Sequence, residues 1–189
     1  MRFSIYQESR LGRRKNNEDR VGYSYSRDAL LMVVADGMGG HAGGATASKV
    51  AVEAFLLALE QGGALADGLK EANDAVGRTA AGRADLSGMG TTLVAAVETP
   101  EQMLVASVGD SRAYLFENGS LRAITEDQTW VQEVGRPLGL DEETLRRHPM
   151  RHVLTMAVGV GSSVRIRYYA VQLADGDMLM ICSDGLHGV

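Results

Sequence analysis

The sequence predicts an α+β fold, antiparallel sheets with helices packed outside them, on three observations. Short apolar strands recur along the chain and several are joined by hairpin-type turns. Two adjacent segments carry apolar residues at helical spacing instead. No internal repeat, low-complexity segment or linker divides the 189 residues, so residues 1–189 are read as one domain, long enough to bury a core.

The elements follow in order. Phe3 to Glu8 alternates weakly and is expected as a strand, followed by strands over Arg20 to Ser26 and Leu30 to Ala35. The last is apolar on both faces, the pattern of a central strand. Asp36 to Gly44 is a glycine-rich turn, after which Ala47, Val50, Ala51, Ala54, Phe55, Ala58 and Leu59 form one helical stripe. Gly62-Gly63 ends that helix, and Leu65 to Arg83 is a second one, with Leu69, Ala72, Asn73 and Val76 on one side. Strands then resume over Thr91 to Glu98, Met103 to Val108, Ala113 to Glu117 and Leu121 to Ile124. Asn118-Gly119 is the strongest hairpin signal, because both residues tolerate positive φ. Residues 128–156 mix short helical patches with Pro137, Gly139 and Pro149 and read as an irregular flap. Val164 to Leu173 and Met178 to Cys182 are the last strands, joined at Asp175-Gly176.

Composition excludes some classes of function. A net charge of −5 does not suit a nucleic-acid-binding molecule. No apolar run approaches the roughly 20 residues of a membrane span, and Met1-Arg2-Phe3-Ser4 opens no signal peptide. A single cysteine, Cys182, excludes an intrachain disulfide and agrees with a cytoplasmic location.

The aspartates point to chemistry. Asp36, Asp110 and Asp184 each follow an apolar strand and precede glycine or a small residue. A carboxylate at a buried strand end is rigidly held and costly to desolvate unless paired or bound to a metal. Glycine beside it admits a carbonyl or substrate at close range. Together with Glu18-Asp19, these strand ends can converge, and their mutual repulsion calls for a cation. With no cysteine among these acidic motifs themselves, all-oxygen ligation suits Mg²⁺ or Mn²⁺ rather than zinc. An isolated Asp-Gly pair is ordinarily just a turn, and Asp175-Gly176 is read as one.

Five segments occur in a fixed order: Arg14-Lys15-Asn16-Asn17-Glu18-Asp19, Asp36-Gly37-Met38-Gly39-Gly40-His41, Gly90-Thr91-Thr92, Val108-Gly109-Asp110-Ser111-Arg112 and Ser183-Asp184-Gly185-Leu186. Over essentially the whole chain this resembles the bacterial branch of the metal-dependent protein phosphatases, the type 2C (PPM) family. The resemblance implies a four-layer αββα arrangement, a β-sandwich flanked by helix pairs, with two Mn²⁺ or Mg²⁺ ions at one end. It makes Asp36 the carboxylate bridging both ions, Gly37 a carbonyl ligand, Glu18 and Asp19 further ligands, and Asp184 a ligand of the second ion. Asp110 is matched to a third, weaker ion. Arg14 is matched to the arginine that grips the substrate phosphate, although Arg10, Arg13 and Lys15 also make it part of a basic patch. Adjacent strand residues face opposite ways, so Glu18 and Asp19 serve together only at a strand end or bulge.

The implied reaction is hydrolysis of phosphoserine and phosphothreonine in proteins by a metal-activated water, in line with the leaving oxygen and without a phospho-enzyme. Substrates of a bacterial Ser/Thr kinase are the expected partners, with no nucleic acid and no membrane. The family continues past Ser183-Asp184-Gly185-Leu186 with further elements and one more metal-binding Asp. The sequence is therefore expected to be a C-terminally truncated form, impaired when isolated. The alternative is a weakened or inactive regulatory module of the same family.

Overall fold

The computed structural model describes residues 3–26, 29–39 and 43–188. Strand β1 (Asp19–Tyr25) and β2 (Leu30–Met38) lead into two helices, α1 (Gly43–Glu60) and α2 (Leu65–Ala80). Then come β3 (Gly90–Thr91), β4 (Leu93–Glu98), β5 (Met103–Val108), β6 (Arg112–Glu117) and β7 (Ser120–Ala123). A short helix α3 (Glu142–Arg147) precedes β8 (Arg167–Val171), β9 (Met178–Cys182) and a single helical turn, α4 (Asp184–His187). Among the described residues no helix is long and apolar enough to cross a membrane.

Two antiparallel sheets result. One runs β1-β2-β4-β5-β8, with β3 also on β2; the other is β7-β6-β9. Period-two alternation sorts the side chains of β2. Val33 and Ala35 face the helices, joining Ala51, Phe55, Leu69, Val76 and Leu93 in one core. Leu30 and Val34 face the second sheet, where they meet Val94, Val105, Ala113 and Leu115. A strand buried on both sides has to be apolar throughout, which accounts for the unbroken run Leu30 to Ala35. The described residues therefore build three layers (helices, sheet, sheet), and the outer face of the small sheet leaves Leu121, Met178 and Met180 exposed.

The stripe on α1 meets the sheet through Ala47, Ala51, Val52 and Phe55, while Gly68 of α2 lies close against the Phe55 ring. Burying a side chain of this size contributes about 1.5–3 kcal/mol. The β6–β7 hairpin turns at Asn118 (φ 50°) and Gly119 (φ 77°), the pair of positive angles that a type I′ turn requires.

Some expectations need correction. Phe3 to Glu8 forms no strand. Its alternation is weak, and without a neighbouring strand no ladder satisfies its backbone. The second helix ends at Ala80, ahead of Gly82 at φ 72°, not at Arg83. The strand expected over Val164 to Leu173 is confined to β8. Residues 128–156 are irregular: a bridge joins Thr129 to Leu154, and a wide helical turn closes with Arg136 N–H donating to the Val131 carbonyl. Trp130 stacks on His148 with ring centroids 4.0 Å apart.

Candidate metal centre

The strand directions bring the acidic segments to one end of the sandwich. β1 begins where β2 ends, and the register sets Asp19 opposite Asp36. Asp36 shares its face with Val34, so its side chain lies between the sheets rather than toward the helices. β5 ends at Val108, just before Gly109-Asp110, and β9 ends at Cys182, just before Ser183-Asp184. Arg112 pairs with Cys182, which puts the start of β6 at the same end.

The backbone of Asp36 is fixed by two threonines. Its N–H donates to Thr92 Oγ1 (2.9 Å), and its carbonyl accepts from Thr92 N–H (2.9 Å) and Thr91 Oγ1 (2.8 Å). Thr92 Oγ1 also lies 2.6 Å from Ser111 Oγ, next to Asp110. A buried chain of hydroxyls thus links two of the acidic positions.

Glu18 is positioned by glycine. Its carboxylate lies against Gly44 in the first turn of α1, where a Cβ on Gly44 would collide with Glu18 Oε2. A Cβ on Gly37 would likewise strike the Gly44 carbonyl. Only glycine at both positions lets the end of β2, the start of α1 and Glu18 meet. The positive end of the helix dipole favours a carboxylate there. Ser48 Oγ, on the same helix, donates to the Glu18 carbonyl.

At the other side of the site, Ser183 Oγ donates to Asp19 Oδ2 at 2.8 Å, 164 positions away in sequence. Asp184 follows as the first residue of α4 and is exposed. His187 Nε2 sits 3.1 Å from the Asp110 carbonyl. Arg112 grips Asp127 with two bonds of 2.7 Å.

These carboxylates repel one another. Burial, then the charges of Asp19, Asp184 and Asp110, pushes the Asp36 carboxyl up to about 8. Burial and the charges of Asp184 and Asp127 raise Asp110 to about 6, against the opposing pull of Arg112. Among the described residues no three His, Cys, Asp or Glu side chains close into a ready-made metal cage. The charges of Asp19, Asp184 and Asp110 reach Asp36, and Asp184 is near enough to share a hydrogen bond with it. The group still fits a divalent cation: every candidate ligand is an oxygen, and among the described residues no basic group is a leading influence on Asp36.

Arg14 precedes this cluster in the chain. It is exposed in the loop before β1, in a turn where its N–H donates to the Leu11 carbonyl at 3.2 Å. Gly40 and His41 of the Asp36 motif lie outside the described residues. The sequence reading did not foresee the parts played by Ser111, Ser183, Asp127 or Gln128. Ser111 and Ser183 stand inside motifs already singled out, and adjacency to Asp110 and Asp184 was a usable signal. Asp127 and Gln128 open an irregular segment and had none.

The protein phosphatase 2C family model matches residues 6–188. The serine/threonine phosphatase stp of Listeria welshimeri is 39% identical, over 92% of this chain and 73% of its own length. The serine/threonine protein phosphatase PstP of Mycobacterium tuberculosis is 37% identical, over 92% of this chain and 34% of its own. The crystal structure of serine/threonine phosphatase Stp1 from Staphylococcus aureus superposes with a TM-score of 0.79 at 30% identity, covering 93% of this chain and 73% of that one. The catalytic domain of PstP, solved with two manganese ions, gives a TM-score of 0.73 at 32% identity, covering 92% and 73%.

Proposed function

Because this chain belongs to the protein phosphatase 2C family, we propose that it hydrolyses phosphoserine and phosphothreonine in proteins at the end of its β-sandwich. The observation that carries this reading is the placement of Asp36, opposite Asp19 and within the fields of Asp110 and Asp184. Asp36, Asp19, Glu18, Asp184 and the Gly37 carbonyl would hold two Mn²⁺ or Mg²⁺ ions, and Asp110 a third, weaker one. Such ions supply the positive charge that acidifies water and neutralises phosphoryl oxygens.

The chain's own residues do the rest. Thr91 and Thr92 fix the backbone of Asp36, so its carboxylate is presented without reorganisation. Arg14, on an exposed loop, is available to bind the phosphate with its planar guanidinium. Cys182 offers no nucleophile: it is buried, and burial pushes its thiol up. Water then attacks phosphorus in line with the departing serine or threonine oxygen, and no phospho-enzyme forms. The substrates are phosphoproteins made by a Ser/Thr kinase in the cytoplasm.

The test is phosphate release from a phosphothreonine peptide with Mn²⁺ and with EDTA, using this chain and Asp36→Asn. Release that needs Mn²⁺ and vanishes in the variant supports the enzyme. Mn²⁺ binding without release under any condition points to a regulatory module instead.

A further inference from the structure

Gln128 is a long amide side chain with no exposed surface, at the point where the flap begins. Burial of such a group is tolerated only when its polar atoms are matched. Here they are matched to three separate segments. Gly109 N–H donates to the side-chain oxygen at 2.8 Å, and Nε2 donates to the Arg165 carbonyl at 2.9 Å. The Gln128 backbone N–H donates to the Gly109 carbonyl, and its carbonyl accepts from Thr155 N–H, both at 2.9 Å. A peptide N–H only donates and a carbonyl only accepts, so just one orientation of the amide satisfies both side-chain partners.

The Gly109 side of this junction is rigid. Its φ is +96°, and a Cβ there would meet Thr92 Cγ2 at 2.7 Å. The next residue is Asp110. The Thr155 side is the return of the flap, where Thr155 Oγ1 donates to Glu133 at 2.7 Å and Arg165 reaches the same carboxylate at 2.7 Å.

We propose that Gln128 is a positioning residue that ties the Gly109–Asp110 turn to the base of the flap, so that the Asp110 carboxylate and the flap are ordered as one unit. The Mn²⁺-binding and activity arms of its test rest on the phosphatase reading, and amide exchange does not.

Two substitutions and one measurement on the unaltered chain test this. Gln128→Met fills similar space with no hydrogen-bonding group. Gln128→Glu keeps both bonds while its carboxyl is protonated and loses the donor to Arg165 on ionising. Asp110, Asp127, Glu126 and Glu133 face or flank that position as acids, and Arg112 and Arg165 as bases. Mn²⁺ binding at the weakest site that calorimetry resolves, the one assigned to Asp110, is expected to weaken about tenfold in Gln128→Met at every pH, relative to wild type at the same pH. In Gln128→Glu it should stay within about twofold of wild type at acid pH and fall about tenfold behind on ionisation, a pH signature that a general packing defect does not give. Hydrolysis of the phosphothreonine peptide should follow the same pattern. In the wild type, amide exchange at Gly109 and Thr155 should report the same opening free energy, because both amides belong to one unit. Folded Gln128→Met with wild-type Mn²⁺ affinity overturns the proposal, as do unequal opening energies at Gly109 and Thr155. If neither variant folds, the exchange result decides. If the wild type neither binds Mn²⁺ nor hydrolyses the peptide, the phosphatase reading falls while amide exchange still judges Gln128.

Discussion

Asp19 and Asp36 stand opposite each other across the β1–β2 ladder, two acids in register at the open end of a sandwich. Cross-strand like charges destabilise a sheet. The site therefore has an electrostatic cost in the folded chain that neighbouring carboxylates increase.

The first prediction is a pH dependence of stability. The Asp36 carboxyl sits at about 8 in the folded chain, against 3.8 for an ordinary aspartate. Between those values the folded state binds more protons than the unfolded one, so stability falls as pH rises through that window. In EDTA, Asp36→Asn should melt higher than wild type at pH 8, by roughly 5 °C. The gap should close near pH 4, and Mn²⁺ should reverse it at pH 8. Thermal melts across pH check this, and a gap that does not change with pH would refute it.

The glycines around Glu18 give a second prediction. Gly44→Ala should cost about 1–3 kcal/mol in urea unfolding, because its Cβ meets Glu18 and the Gly37 backbone. Gly77→Ala in α2, where a Cβ meets nothing within 4 Å, should instead stabilise by about 0.5–1 kcal/mol. Equal effects at the two positions would show that close contact at Gly44 is unimportant.

Thr92→Val keeps the shape of the side chain and removes the hydroxyl shared by Asp36 N–H and Ser111. Two groups then lose a partner in the interior, at a cost of about 1–3 kcal/mol. Because Asp36 loses its anchor, calorimetry should also show weaker Mn²⁺ binding. Stability loss with unchanged Mn²⁺ affinity would separate Thr92 from the site.

Arg14 tests recognition apart from folding. It is exposed, so Arg14→Ala should leave the melting temperature within about 1–2 °C of wild type. Its loss should lower kcat/KM for the phosphothreonine peptide about a hundredfold, and Arg14→Lys should recover only part of that. Unchanged kcat/KM in Arg14→Ala would place phosphate binding elsewhere.

Features with a local cause were legible in the sequence. The run Leu30 to Ala35 is apolar because both faces of β2 are covered, and Asn118-Gly119 turns with the positive φ angles its residues permit. The strand expected over Thr91 to Glu98 is interrupted at Thr92 without any slip of register, because Thr92 turns its hydroxyl to Asp36. Phe3 to Glu8 shows the limit of alternation, since a strand also needs a neighbour. The convergence of Asp19, Asp36, Asp110 and Asp184 was legible because carboxylates recur beside apolar runs in the sequence. Ser183 bonding Asp19, or Gln128 holding Gly109, leaves no periodic trace. Such contacts exist only once distant segments have packed.

The Ser183–Asp19 bond also constrains timing on the ribosome. Asp19 and Asp36 are translated early, but their partner hydroxyl lies 164 positions after Asp19. Contacts that far apart form late, after a large loss of chain freedom. A nascent chain can pair Asp19 with Asp36 in the β1–β2 hairpin early, but Asp184 and the Ser183 bond join that end of the sandwich only after residue 184 has emerged from the exit tunnel. Translation itself would keep the unfinished protein from acting on phosphoproteins.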